Sequence, residues 1–495
     1  SRPDDFPLFI HLDHFSSQFV ELHVLANSTT VKDTALLPFY HIFCELFSMP
    51  METAEGKLVP YEDVVSQLKS ETVDSQITLG LRGEFPDLID FRIQCRAKNY
   101  PEAVKWVKHC LFDMVFDEKR VTVLLEKFLN SIVELKREGD LMMHSLINRH
   151  FFSERTAKKS TDELFVEELL GDVLDDIENG EYEEKVLPRL NTMREQLRSN
   201  FRKFHILVFG DVEKLGNVYE PWTELVGRLE GVAPGAEVVV PPVPRLAESL
   251  SLLGKNPRDV AHVITTPASE SSYMTALTSM PLDLDYHHPD FAPITLAAEY
   301  LQCVEGPFWK GIRGSGLAYG ANMAKMTESN ALGFSVYRGA DIVKCYQKAK
   351  AIVNDYASGT TKFDPQLVKG AISSIINGIA SSENGYLASA LMKYIDDFCK
   401  KRGPNFNKVF LSKLGKVTTE DLERVMAKYF VNIFDSENGV VFISCHPGKL
   451  DAVKEFLERE GYAIALEELE EDEEDCSSDG ECCNGSEKEC HEGCC

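Results

Sequence analysis

The run Pro307-Phe308-Trp309-Lys310-Gly311-Ile312-Arg313-Gly314-Ser315-Gly316-Leu317-Ala318-Tyr319-Gly320 holds the residues best suited to chemistry in this chain. It reads as a helix end, a glycine-rich turn and a strand that carries a tyrosine. Its glycines let backbone approach closely and take up positive φ. They leave a guanidinium and a phenol free to face one space. Arg313 is permanently charged and offers a fork of donors, and Tyr319 adds a hydroxyl on a short arm. Together they suit a peptide carbonyl or a developing oxyanion. The same spacing also fits a structural role, with Arg313 compensating a helix C-terminus and Tyr319 half-buried in a strand.

Other catalytic patterns find little support. None of the 13 histidines is followed by glutamate three positions later. The close pairs in the body are His11 with His14 and His287 with His288. The first has a spacing that sends its rings to opposite faces of a strand, and the second precedes Pro289 in a loop. Neither brings the glutamate base of a zinc peptidase. No G-x-S-x-G elbow and no Walker loop occurs. Seven cysteines (Cys44, Cys95, Cys110, Cys303, Cys345, Cys399, Cys445) lie in apolar segments, where reduced cysteine acts as a small hydrophobe. Six more crowd the C-terminus. There Cys476, Cys482, Cys483, Cys490, His491, Cys494 and Cys495 could gather a soft metal such as zinc or copper(I), or form an acidic appendage with incidental thiols.

The order Trp-Lys-Gly-Ile-Arg-Gly-Ser-Gly-Leu-Ala-Tyr-Gly over 309–320 resembles the final domain of pitrilysin/insulysin-type zinc metallopeptidases, in particular the presequence-protease-like branch. Outside that segment the resemblance rests on element order and spans most of residues 1–460. It implies four similar α+β roll domains that form two bowl-shaped halves around a chamber. The first domain of that family carries an inverted H-x-x-E-H zinc site with a distal glutamate, and the last contributes an Arg/Tyr pair near the cut bond. This chain then corresponds to the third and fourth domains, with Arg313 and Tyr319 as the substrate-binding, oxyanion pair. H-x-x-E-H is absent, so the resemblance implies that zinc is bound by residues outside this chain, which is expected to be inactive alone. Its partners would be an N-terminal zinc-bearing half, in the same polypeptide or a separate subunit, and an unstructured peptide substrate. The alternatives are a non-catalytic scaffold subunit of the same superfamily, or a metal-binding protein that acts through its Cys-rich tail.

The elements that must position these residues follow from side-chain periodicity. Residues 19–25, 77–81 and 88–95 read as strands, the last two pairing antiparallel around a turn with Gly83 and Pro86. Helical spacing marks 34–49, 101–116 and 118–137, and 205–210 reads as a closing strand. The order then repeats: strands at 261–264 and 273–277, a helix at 294–304, and an antiparallel pair at 317–326 and 331–338 turning near Ser329-Asn330. Helices follow at 341–356, 365–379 and 385–398, and a closing strand at 440–444. We therefore expect α+β, two similar roll domains, each an antiparallel sheet with helices on one face. The expected boundaries are 1–230 and 259–463, a Pro/Gly-rich linker at 231–258 and a disordered acidic, Cys-rich tail at 464–495.

The formal net charge of −27 argues against nucleic acid and anionic membranes as partners. Residues 467–495 carry thirteen acids against one lysine, so the body is only mildly acidic. No apolar run is long enough to span a membrane. The chain starts without methionine or a targeting signal, which suggests processing or a piece of a longer polypeptide. The expected compartment is the cytoplasm, or the mitochondrion if a targeting segment lies upstream.

Overall fold

Largely apolar runs, buried on both faces, build the central strands of two sheets. The computed structural model describes residues 6–232 and 238–469. The first sheet contains β1 (Phe9–His14), β2 (Phe19–Asn27), β5 (Asp74–Leu81), β6 (Glu84–Arg96) and β7 (His205–Gly210). A short hairpin of β3 (Met51–Glu52) and β4 (Leu58–Val59) lies between β2 and β5 in the chain. The strand order is β1-β7-β2-β6-β5. The second sheet contains β8 (Val260–Thr265), β9 (Ser272–Ser279), β10 (Ala318–Met326), β11 (Ala331–Gly339), β12 (Gly439–Cys445) and β13 (Ala463–Glu468). Its order is β10-β11-β9-β12-β8-β13.

The α+β class holds, and the element order repeats between the halves. The sheets are mixed rather than purely antiparallel, because β1 runs parallel to β7, and β8 runs parallel to both β12 and β13. One face of each sheet packs on helices of its own half. Leu22 and Val24 of β2 join a core with residues of the Tyr100–Lys108, Glu118–Leu135, Glu163–Glu178 and Leu187–Ser199 helices. Val441 and Ile443 of β12 join a second core with the Phe291–Gln302, Ile342–Ala357 and Leu450–Arg459 helices.

The opposite faces are covered reciprocally. The Gly139–Phe151 helix of the first half sets Met142, Met143, Leu146 and Phe151 against Ile264, Tyr273, Leu277 and Phe442 of the second sheet. Gly139 permits that approach, since a Cβ there would stand 2.7 Å from the Tyr273 ring. In return, the Tyr386–Tyr394 helix and the Ile395–Cys399 turn pack on Leu25, Leu207 and Phe209 of the first sheet. The Tyr394 hydroxyl meets His205 Nδ1 at 2.5 Å.

Local differences from expectation have local causes. Residues 34–49 form a 3₁₀ turn (Thr34–Phe39), a short α-helix (Tyr40–Phe43) and another 3₁₀ turn (Leu46–Ser48). Pro38 lacks the N–H that a continuous helix would use. Pro86 lies within β6 rather than in the turn, next to Phe85 at φ +54°. The expected start of the tail at 464 is corrected, because 463–468 form β13. Ile464 and Leu466 alternate against the second core there, a pattern masked by the acidic composition that follows. From residue 238 the connection is packed: Leu246 and Leu250 join the core under the crossing helix, and Arg245 grips Glu328 with two bonds of 2.6 and 2.7 Å.

Candidate functional site

Buried anchors set the Arg313 turn. Phe308 and Ile312 are fully buried, and the Phe308 ring lies 5.2 Å from Phe334 of β11. The intervening Trp309–Arg313 segment is a π-helical turn, closed by Gly314 N–H donating to the Trp309 carbonyl at 2.7 Å. Leu317 N–H then bonds the Ile312 carbonyl at 3.1 Å, and Gly316 takes φ +76°. The reversal delivers the chain directly into β10. Gly311 touches the Ile342–Ala357 helix so closely that a Cβ would lie 3.0 Å from Ile352.

Arg313 and Tyr319 come together. The guanidinium carbon lies 4.9 Å from the centre of the Tyr319 ring, a cation–π contact. Both side chains are exposed, Tyr319 to 63%. The half-buried reading of Tyr319 is therefore corrected. The ring edge meets Tyr337 at 6.3 Å, Tyr337 packs on Tyr273 at 5.5 Å, and Arg338 lies 5.4 Å from the Tyr337 ring. Two guanidinium groups and the Tyr319 and Tyr337 rings thus form one continuous patch, backed by the buried Tyr273. Such a patch offers forked donors beside flat aromatic faces, the chemistry that holds carbonyls and extended backbone. Tyr337 and Arg338 are sequence-distant partners that periodicity alone does not single out. The signal that reveals them is register, since antiparallel pairing places Tyr337 opposite Gly320.

The histidine pairs serve local structure. His11 sits among Phe209, Tyr394 and Phe398, and burial lowers its pKa. His14 accepts from Val212 N–H, His287 contacts the Arg402 carbonyl, and His288 accepts from Asp290 N–H. Burial raises the thiols of Cys44, Cys95 and Cys345 to about 12, away from thiolate chemistry. The described residues contain no group of three His, Cys, Asp or Glu side chains arranged to hold a metal, so they do not fit a zinc ion. Cys476, Cys482, Cys483, Cys490, His491, Cys494 and Cys495 lie outside the described residues. Among the described residues no helix is long and apolar enough to cross a membrane. A cavity of about 830 Å³ lies elsewhere, between the Asn27–Thr34 region, the connection around Arg245 and Asp283–His287.

The chain has the pitrilysin-like fold of M16 peptidase domains. It superposes on an M16 peptidase inactive domain from Pseudomonas fluorescens with a TM-score of 0.60 at 12% identity, covering 88% of this chain and 95% of that one. A protease from Helicobacter pylori gives 0.60 at 11%, with 89% and 97% covered. The periplasmic protease PqqL from Escherichia coli gives 0.55 at 10%, with 87% of this chain and 43% of that one covered. No family model matches the sequence. By sequence the chain is 56% identical over 484 residues to an uncharacterised protein of Saccharomyces cerevisiae, covering 97% of this chain and 47% of that protein. An uncharacterised Caenorhabditis elegans protein is 26% identical over 455 residues, with 91% and 44% covered. The chain thus spans about half the length of the curated relatives it matches.

Proposed function

We propose that this chain is the substrate-binding, non-catalytic half of a zinc metalloendopeptidase of the presequence-protease-like branch, which cleaves unstructured peptides between two closing halves. The observation that carries this reading is the exposed Arg313–Tyr319 stack at the start of an edge strand. The guanidinium takes the peptide carbonyl next to the cut bond, and the phenol donates to the same oxygen as charge develops on it. The stack holds both groups in place before substrate arrives. Metal chemistry belongs to the partner half, because the described residues offer no ligand set. The pitrilysin-like fold and the doubled length of the relatives support such a division.

The test joins this chain to a metal-bearing half and follows cleavage of an unstructured peptide. Arg313→Ala or Tyr319→Phe should each reduce kcat about a hundred-fold, the typical cost of one oxyanion donor. Unchanged turnover in both variants would sink the reading. Partner binding without any cleavage by the wild type would favour the scaffold alternative.

A further inference from the structure

We infer that Arg338 reads a carboxylate on the bound peptide, so that the patch prefers substrates with an acidic side chain roughly two residues from the carbonyl held by Arg313. This inference rests on the peptide-binding reading above and names its substrate class.

β11 is irregular where it meets the patch. Val336 pairs with Met274 of β9 and Gly339 with Ser272, so Tyr337 and Arg338 together stand against the single residue Tyr273. Such a bulge re-aims side chains. Successive residues of a regular strand point to opposite faces, yet the Arg338 guanidinium lies 5.4 Å from the ring of its own neighbour Tyr337. Across the ladder, Ala318 pairs with Gly339 and Gly320 with Tyr337, which sets Arg338 opposite Tyr319. The placement strains the backbone: Arg338 takes φ +48°, a left-handed conformation unfavourable for a residue with a Cβ. Gly339 keeps the bulge tight, since a Cβ there would stand 2.8 Å from Ile342.

The charge so placed is uncompensated. Arg245, Arg402 and Arg424 of the same half hold carboxylates at 2.6, 2.8 and 2.6 Å. Among the described residues Arg313 and Arg338 form no ion pair, and each lies against an aromatic ring instead. Asp341, the next acid in the chain, is taken by Lys344 at 3.0 Å. Arg338 is exposed, so its planar fork is free for a bidentate partner. The Tyr319 and Tyr337 rings that carry the two guanidinium groups lie 6.3 Å apart, roughly the rise of two residues of extended chain. An extended peptide whose carbonyl meets Arg313 therefore brings a nearby side chain to Arg338.

The experiment measures binding to the full chain of fluorescent unstructured peptides of about eight residues, blocked at both ends, in which one glutamate is moved along a neutral sequence. The chain carries a net charge of −27, so its general field disfavours an added glutamate and a gain must come from local contact. The expected result is a gain of about ten-fold over the neutral peptide at one position or two adjacent ones, and none elsewhere. Arg338→Gln should erase the gain, and Arg338→Glu should transfer it to a peptide with lysine at that position. Arg338→Asn suits a left-handed backbone and should erase it equally, which separates loss of the guanidinium from collapse of the bulge.

No gain at any position, a gain indifferent to position, or one that survives in Arg338→Gln would overturn the assignment. Neutral-peptide binding that still depends on Arg313 would then leave the peptide-binding reading standing. A gain given only by an unblocked C-terminus would show that the group read is a chain end, and would overturn the side-chain preference. Absence of all peptide binding, or binding indifferent to Arg313→Ala, would overturn both readings.

Discussion

At the scale of single residues, two charged groups are placed by opposite logic. Arg313 is exposed and held by one aromatic face, so its loss should leave folding intact while removing a ligand for carbonyl oxygen. Arg313→Lys separates charge from shape: a lysine keeps the charge without the planar fork, and peptide affinity should fall several-fold at unchanged melting temperature. Equal affinity would mean that charge alone matters. His23 is the reverse case. It is fully buried, with Nδ1 2.8 Å from Asp90 and Nε2 3.0 Å from Glu21, while Arg92 bonds Glu21 at 3.3 Å. Burial opposes its charge, but the two carboxylates outweigh it and raise its pKa to about 9. The folded protein thus holds a proton that the unfolded chain releases above its ordinary value of about 6.5. The resulting stability is complete below that value and is lost as pH rises through 9, by up to about 3 kcal/mol. Urea titrations at the two ends of this window should show the slope in wild type and lose it in His23→Gln. Arg313 and Tyr319 were legible because glycines mark their turn. The His23 network was not, because Asp90 lies 67 residues away and only the β2–β6 register brings the two together.

At the scale of elements, β13 carries the most instructive difference. Its apolar residues are few and its neighbours acidic, so composition argued for a tail. The parallel partner β8 supplies the missing context, pairing with Ile464 and Leu466 and leaving Glu467 beside the crossing helix. Burial disfavours the Glu467 charge, yet hydrogen bonds from His150 and Arg149 hold its carboxyl down at about 2. A chain ended after Tyr462 should be less stable than one ended after Leu469 by roughly 2 kcal/mol, the worth of two partly buried aliphatic side chains. Coincident denaturation curves would count against β13 as an integral strand. The antiparallel pair β10–β11 was read closely, since Asn330 in the left-handed region provides a turn the sequence announces. The continuous helix expected at 385–398 instead ends in a π-helical turn at Ile395–Cys399, where it meets the other half. An amphipathic stripe announces that a helix is buried. It does not announce against which surface, and the exchange of helices between halves was hidden for that reason.

At the scale of the whole molecule, that exchange joins the two sheets into one folding unit. Each half finishes the other's core, so neither sheet keeps a dry second face alone. Phe442→Ala, which empties the space under the Gly139–Phe151 helix, should cost about 3–5 kcal/mol and lower the stability of both halves in one transition. Two separated transitions would show that the halves melt independently. The interlock also gives the Arg313–Tyr319 patch a rigid platform, because Tyr273 lies in the shared core on one side and packs on Tyr337 on the other.

The most direct measurement is fluorescence-anisotropy titration of an unstructured peptide against the full chain and its Arg313→Ala variant. The account predicts saturable binding by the wild type, affinity about ten-fold weaker in the variant, and no cleavage by the chain alone. Equal affinity in the two proteins, or no binding to either, would contradict it.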